Sequence, residues 1–376
     1  MKIEDTSERH LNSADMAGAV PPIPADPADI AGTIGPAPAV AGGVTASQSE
    51  LDLFAESIEA VTEGQSLSPF QASMRRLGRD KRAMTCLAIV LVIVLGSYIG
   101  PFIYVHIGPT IKGGTVGLTT EGPSVYHVYT HPELTMENNP PSAAFPLGND
   151  QLGRDILARL MAGVNVSIEV AFLVEAFDIS LGLLFGTLAG YYGGTIDTVL
   201  ARFTDVMFAF PGLLFAILAA ATLGTSFQDR FGLPGRLILV SLAIGVAVWP
   251  LMARYVRGQT LQLKEQQFVE AARSVGSSNS RIITQHIVPN LLSIVVVAST
   301  LNVVGTIIGE ATISLLGLGV QAPGSSLGLM ISDAATVIAV SPSEVMWPSI
   351  VLAILVLSFS FLGDGIQSAF NPRTKD

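Results

Sequence analysis

Charge is what this sequence has least of. Of its 376 residues only 13% are Asp, Glu, Lys or Arg, against about 25% in an average soluble domain. Hydrophobic residues make up 49% and the mean hydropathy is +0.54, a balance that excludes an ordinary water-soluble domain. Cysteine is nearly absent too. Cys86 is the single one and lies in an apolar run, so no internal disulfide is possible. No GxxxxGK[ST] phosphate-binding loop occurs, so the chain is not expected to hold nucleotide itself. HExxH and a Ser/His pairing within the apolar runs are missing as well. An intramembrane enzyme is therefore disfavoured and the chain is read as non-catalytic, with no catalytic or metal-binding residues.

The charge that is present is unevenly placed. Residues 1–65 carry two bases and eleven acids, nearly all of the net charge of −10. That acidity describes a tail rather than the body, and no nucleic-acid partner is expected. Residues 1–70 are acidic and Ala/Pro-rich, with too few large apolar groups to offset chain entropy, and are expected to be disordered. They lack a basic stretch followed by an apolar core and cleavage site, so no signal peptide is expected.

Six apolar stretches follow, near 83–106, 166–190, 207–223, 237–252, 291–315 and 345–362. A hydrocarbon core of about 30 Å needs about 20 helical residues. Lipid supplies no partner for unpaired backbone groups, and the short alternating strands of a barrel are absent, so every span must be helical. The expected fold is an all-α integral membrane protein with six transmembrane helices. Residues 71–106 supply a basic flank and the first span, 107–165 an extracytoplasmic segment, and 166–376 a core of five spans. Lys and Arg fix the orientation, because they concentrate in cytoplasmic flanks. With both termini in the cytoplasm, thirteen lie in the cytoplasmic flanks of the spans and five in the outer loops.

Between the fourth and fifth spans, residues 253–290 form an unusually long hydrophilic connection. Within it Phe268, Ala271, Ala272 and Val275 stand at i, i+3, i+4 and i+7, one stripe of a short helix that Gly276 should stop. A stripe with two alanines suits close docking into a partner groove; a lipid surface or the protein's own bundle would also take it.

The segment Glu270-Ala271-Ala272, then Gly276 and Pro289, resembles the EAA loop of binding-protein-dependent ABC importer permeases. His286 narrows the resemblance to the peptide-permease branch, while Val288 departs from the usual Leu. The run from Pro146 to Asp155 is similar to the signature of the C-type subunit of dipeptide/oligopeptide permeases. So are Gly190–Gly194 with Asp197, Arg202, Asp205 and Pro211, the run Glu310–Gly319, and Gly363-Asp364-Gly365. The likeness covers about residues 83–373, leaving the tail outside.

This resemblance implies the type I ABC importer permease fold in a bacterial inner membrane. It also implies a heterodimer with a homologous second permease subunit, two cytosolic ATPases and an extracytoplasmic substrate-binding protein. ATP and Mg²⁺ would sit in the ATPases, with no cofactor on this chain. The 268–276 helix would seat in an ATPase, with Glu270 meeting a basic residue there and Gly276 permitting the turn. Di- or oligopeptides are the implied solutes; nickel chelates, opines or glycosides share these motifs. An ion-coupled secondary transporter is a further alternative, though no repeat relating two halves is visible.

Three acids, Glu169, Glu175 and Asp178, lie in the second span and are unusual for the resembled family. An acid at mid-membrane costs about 2.5 kcal/mol or more. Glu175 and Asp178 either line a cation-attracting translocation path or are protonated and hydrogen-bonded, and Glu169 either joins them or marks a helix end. Glu310 in the fifth span is either a path residue or a structural hydrogen-bonding group. Gly182, Gly186 and Gly190 are read as a helix-packing stripe. His127, His131 and Glu133 are read as a solvated loop rather than a metal site.

Overall fold

The computed structural model describes residues 69–107 and 127–370. The expectation of a disordered tail over 1–70 falls almost wholly outside them, as do Lys112, Arg373 and Lys375, three of the Lys and Arg residues counted for the orientation.

The described residues form an all-helical body. Helix α1 (Pro69–Leu77) is short and basic, and α2 (Lys81–Ile107) is the first long apolar helix. Asp80 starts α2 by accepting from the backbone amides of Arg82 and Ala83 at 2.9 and 3.3 Å, the usual work of an N-cap carboxylate. Helices α3 (Ile156–Tyr192), α4 (Gly194–Ala209) and α5 (Gly212–Leu263) follow. The 267–315 stretch holds α6 (Gln267–Ser274), α7 (Asn279–Ile282), a π turn over Ile283–Ile287 and α8 (Val288–Leu315). Helices α9 (Leu327–Ala335) and α10 (Ser343–Phe370) close the fold.

The six expected stretches fall on five helices. Four of those, α2, the 279–315 helical run, α5 and α10, are long and apolar enough to cross a membrane by length and composition. The stretches 207–223 and 237–252 both fall largely on α5, whose 52 residues would reach about 78 Å if straight. It is not straight. Gly232 adopts φ 70° and ψ −159°, open to glycine and closed to most L-residues. There the chain reverses, so that Gly212 packs on Ala247 and Gly224 on the Arg236 guanidinium. Helix α5 is therefore a hairpin of two antiparallel arms. Its turn is fastened by Arg236, which donates to the backbone oxygens of Gly319 and Leu318 and to Gln228.

Helix α3 is the axis of the body. It begins at Ile156, ten residues before the expected span, because Asp155 caps it by accepting from Leu157 N at 2.8 Å and Ala158 N at 3.3 Å. The expected segment 107–165 thus ends in a helix rather than in loop. Gly182, Gly186 and Gly190 lie against Met252, the Ala253 carbonyl and the Arg257 carbonyl of α5, leaving no room for a side chain. The small-residue stripe is a packing seam, as read from the sequence. Val170 and Val174 of α3 meet Ala216, Ala220, Val240 and Ile244 from both arms of α5 in one core.

The outside of this body is apolar. Val92, Phe102, Phe172, Leu214, Leu218 and Leu357 are among many large hydrophobic side chains left exposed. Apolar flanks of this extent, on helices of this length, fit a lipid surround rather than water.

Candidate functional site

The 253–290 segment is more helical than its hydrophilic composition suggests: α5 runs on to Leu263, leaving only 264–266 before α6. Helix α6 stands on the bundle through Val269, fully buried among Tyr191, Val256, Ile282 and Ile287, with Ala272 packed alongside. The predicted stripe therefore divides. Ala272 turns inward, while Phe268, Ala271 and Val275 face out, Phe268 at 40% exposure and Val275 at 87%. Glu270 and Arg273 are exposed as well. Val269 was missed from the sequence because it is one residue off the stripe; its signal is the i, i+3 pair it makes with Ala272.

Gly276 ends α6 as expected. Its φ is +84°, the Ser277 amide bonds Ala272 O and its own amide bonds Arg273 O, the paired bonds of a Schellman cap. No atom lies within 4 Å of where a Cβ would stand, so the requirement for glycine is conformational, not spatial. Ser278 then starts α7 by accepting from Arg281 N, and Tyr191 Oη donates to Asn279 Oδ1 at 2.9 Å. Pro289 does not end the segment. It sits inside a continuous helical run, and the preceding turn, which contains His286, widens to a π turn in which Val288 N bonds Ile283 O. A proline ring collides with the carbonyl four residues back, and the wider turn relieves that collision.

The motif residues after α3 form a clasp on the same end. Asp197 of α4 accepts from Arg257 Nε and, at 2.7 Å, from Arg257 Nη2 of α5; Asp205 accepts from Arg254 Nη2 at 2.8 Å. Hydrogen bonding from Arg257 holds the Asp197 carboxyl below the ordinary carboxylate range.

Around the Pro146–Asp155 signature the chain builds a buried charge knot. Asp150 accepts from Arg154 Nε at 2.8 Å, Arg159 Nη1 at 2.5 Å, and the amides of Leu152 and Arg154. Asp333 of α9 takes Arg159 Nη2 at 2.9 Å, tying α3 to α9. The sequence did not single out Asp333, which has no local pattern around it. His127 departs from the solvated-loop expectation: it is buried, its Nδ1 lies 2.7 Å from Asp155 Oδ2, and Tyr104 Oη donates to that same oxygen at 2.8 Å. Its ring packs on Tyr104 and Phe145. Two aromatic neighbours brought from other segments enclose it, which the sequence cannot announce. Among the described residues no set of three His, Cys, Asp or Glu is placed to hold a metal.

The acids of α3 separate. Glu169 is exposed, whereas Glu175 and Asp178 are buried on successive turns. Asn302 of α8 donates to Glu175 Oε1 at 2.8 Å and to Asp178 Oδ2 at 3.5 Å. Asp178, Asn302 and Tyr255 border a cavity of about 340 Å³. Asn302 was not foreseen, although a polar residue in an otherwise apolar span is a signal. Glu310 is enclosed, with Ser167 donating to Oε2 at 3.0 Å and Ser314 to Oε1 at 2.7 Å. Through the Ser167 bond Glu310 ties α8 to α3.

Fold and site together define an all-α integral membrane protein that presents an amphipathic helix from a hydrophilic end. Its family is shown by comparison with known proteins. Residues 182–376 match the binding-protein-dependent transport system inner membrane component family, and residues 68–110 match the N-terminal transmembrane domain of oligopeptide transport permease C. The chain belongs to the binding-protein-dependent transport system inner membrane component family. It is 34% identical to the dipeptide transport system permease protein DppC of Bacillus subtilis, over 82% of this chain and 88% of that one. It is 33% identical to the oligopeptide transport system permease protein OppC of Haemophilus influenzae, over 84% and 92%. A glutathione transport system permease protein, GsiD of Pectobacterium atrosepticum, is 37% identical over 63% and 76%. An inward-facing methionine ABC transporter, MetNI, aligns at a TM-score of 0.44 and 21% identity, over 56% of this chain and 96% of that one.

Proposed function

We propose that this chain is the C-type transmembrane subunit of an ATP-driven peptide importer and couples to its ATPases through α6. One observation carries the reading. Helix α6 is fixed to the bundle by Val269 yet leaves Phe268, Ala271, Val275 and the charged Glu270 uncovered. A rigidly mounted helix with an open apolar face and a charge at its side is built to enter a groove on a partner. The relatives named for dipeptide, oligopeptide and glutathione transport support a peptide solute.

In this reading a second, homologous permease forms the other half of the path. Two cytosolic ATPases hold ATP and Mg²⁺, an extracytoplasmic binding protein delivers the solute, and this chain performs no catalysis. The chain lies in a bacterial inner membrane with both termini in the cytoplasm. It crosses six times, because each arm of the α5 hairpin is long enough for one passage.

The test is reconstitution of the whole complex in proteoliposomes. Glu270→Lys and Val275→Asp alter exposed positions, where substitutions seldom cost more than about 0.5 kcal/mol, so the melting temperature should hold. ATPase co-purification and uptake of a labelled tripeptide should both fall at least tenfold. Wild-type uptake by both variants would remove α6 from the coupling.

A further inference from the structure

We propose that Glu175, Asp178 and Asn302 form a binding site for an organic cation, the ammonium or guanidinium group of a lysine- or arginine-bearing solute. The proposal rests on the peptide reading above for the source of that cation. Its grounds are geometric. Glu175 and Asp178 stand one turn apart on α3 at 8% and 1% exposure, and among the described residues no Lys, Arg or His pairs with either. Asn302 occupies one oxygen of each. Glu175 Oε2 and Asp178 Oδ1 are left with no partner.

A second observation comes from the facing helix α8. Ser299 and Thr306, one turn either side of Asn302 on α8, are 8% and 2% exposed and lie beside the Glu175 carboxyl. Neither hydroxyl closes a hydrogen bond of good geometry, though both stand within reach of the Glu175 carboxyl. Buried hydroxyls and carboxylates without partners are expensive unless something satisfies them. Of the vacant atoms the two carboxylate oxygens only accept, whereas the two hydroxyls can both donate and accept. An ammonium brings three donors and a guanidinium five, with the positive charge that two carboxylates lack.

The cavity decides between an organic and an inorganic cation. Asp178 opens on about 340 Å³ bordered by Val248, Leu251 and Met252, with Tyr255 at one side. A hard metal ion seeks a closed cage of six or more oxygens. An apolar cavity beside a carboxylate fits instead a methylene stem with a charged head, and Tyr255 on its border supplies an aromatic neighbour.

The test uses the complete importer complex, wild type against the double variant Glu175→Gln/Asp178→Asn, which keeps shape and removes charge. Uptake of labelled Lys-Ala-Lys should fall at least tenfold in the variant while uptake of Ala-Ala-Ala changes less than twofold. Calorimetric titration of the same complex with n-butylammonium chloride should show saturable binding that the variant loses and that excess sodium chloride does not displace. Should wild type import neither peptide while butylammonium binding is present and variant-sensitive, the peptide reading fails and the cation site stands. Butylammonium binding that is absent, equal in both proteins or displaced by sodium overturns the site. So does an equal fall in uptake of both peptides, or unchanged uptake of both.

Discussion

Around Asp150, two guanidiniums and two backbone amides converge on one buried carboxylate, whereas α6 meets the rest of the protein through Val269 and Ala272. The first arrangement spends nearly all of its donors within the chain, Arg159 Nε being left without a partner. The second leaves its polar and apolar groups unspent. A segment whose chemistry is saturated locks elements together, here α3 to α9 through Arg159 and Asp333. A segment mounted on one buried side chain, with its other face open, is available to something else. The same contrast separates two of the buried acid sites of this protein, since Asp150 has its counter-charges and the Glu175–Asp178 pair has none.

The largest effect should come from breaking the saturated end. Arg159→Ala leaves Asp150 and Asp333 sharing only Arg154, all of them buried or half-buried. Removing one partner of a buried pair costs about 3–5 kcal/mol. Thermal unfolding of the purified permease should show a large fall in melting temperature, with poor membrane yield. A fall no greater than that of a surface substitution would mean the knot is not what holds α3 to α9.

At the other end the damage should be functional before it is structural. Gly276→Val forces a β-branched side chain to φ +84°, where the strain is about 1–2 kcal/mol. The site is open on all sides, so no clash spreads into the core. The variant should reach the membrane with a modestly lower melting temperature and lose at least tenfold in uptake, because the chain leaving α6 is misdirected. Gly276→Asn, which tolerates the left-handed region better, should recover most of that loss. Equal damage by both would show that something other than backbone conformation makes the glycine necessary.

How much of this was legible beforehand follows the range of the interactions. The Gly276 stop is local, written in the stripe before it and the glycine after, and it stands where expected. The Gly182–Gly186–Gly190 seam was legible for the same reason, since period and residue size both lie in one helix. The α5 hairpin was half legible: its two apolar stretches were visible, but their continuity through Phe231-Gly232-Leu233 depends on Arg236 reaching the 318–319 carbonyls, a contact more than 80 residues away. His127 was misread because Tyr104, Phe145 and Asp155, which enclose it, come from three separate places in the chain. The outward face of α6 could be listed from periodicity. Which of its residues would be covered could not, since Val269 is buried by Ile282 and Ile287 beyond the turn.

The smallest effect sharpens the comparison by keeping the chemistry and changing only the burial. Asp197 and Arg257 are another Asp–Arg pair, but the side chains are 19% and 37% exposed, against 4% and 3% for Asp150 and Arg159. Water and salt screen a pair so placed, and its contribution should be about 0.2–1 kcal/mol. Its sign against pH is fixed by the lowered pKa. An unfolded aspartate titrates near 3.9, and the Arg257 hydrogen bonds hold the folded group below that value. The stabilisation is therefore fully present above about pH 4 to 5 and is lost as pH falls from there through the folded value, where the carboxyl protonates in both states. Asp197→Asn should consequently lower the melting temperature slightly at pH 7, and the gap to wild type should close as the pH is taken toward 3. It should also shrink in high salt, whereas the loss in Arg159→Ala should not. A gap that persists unchanged at pH 3 would mean that Asp197 acts through shape and neutral hydrogen bonding, and that the clasp between α4 and α5 is not electrostatic.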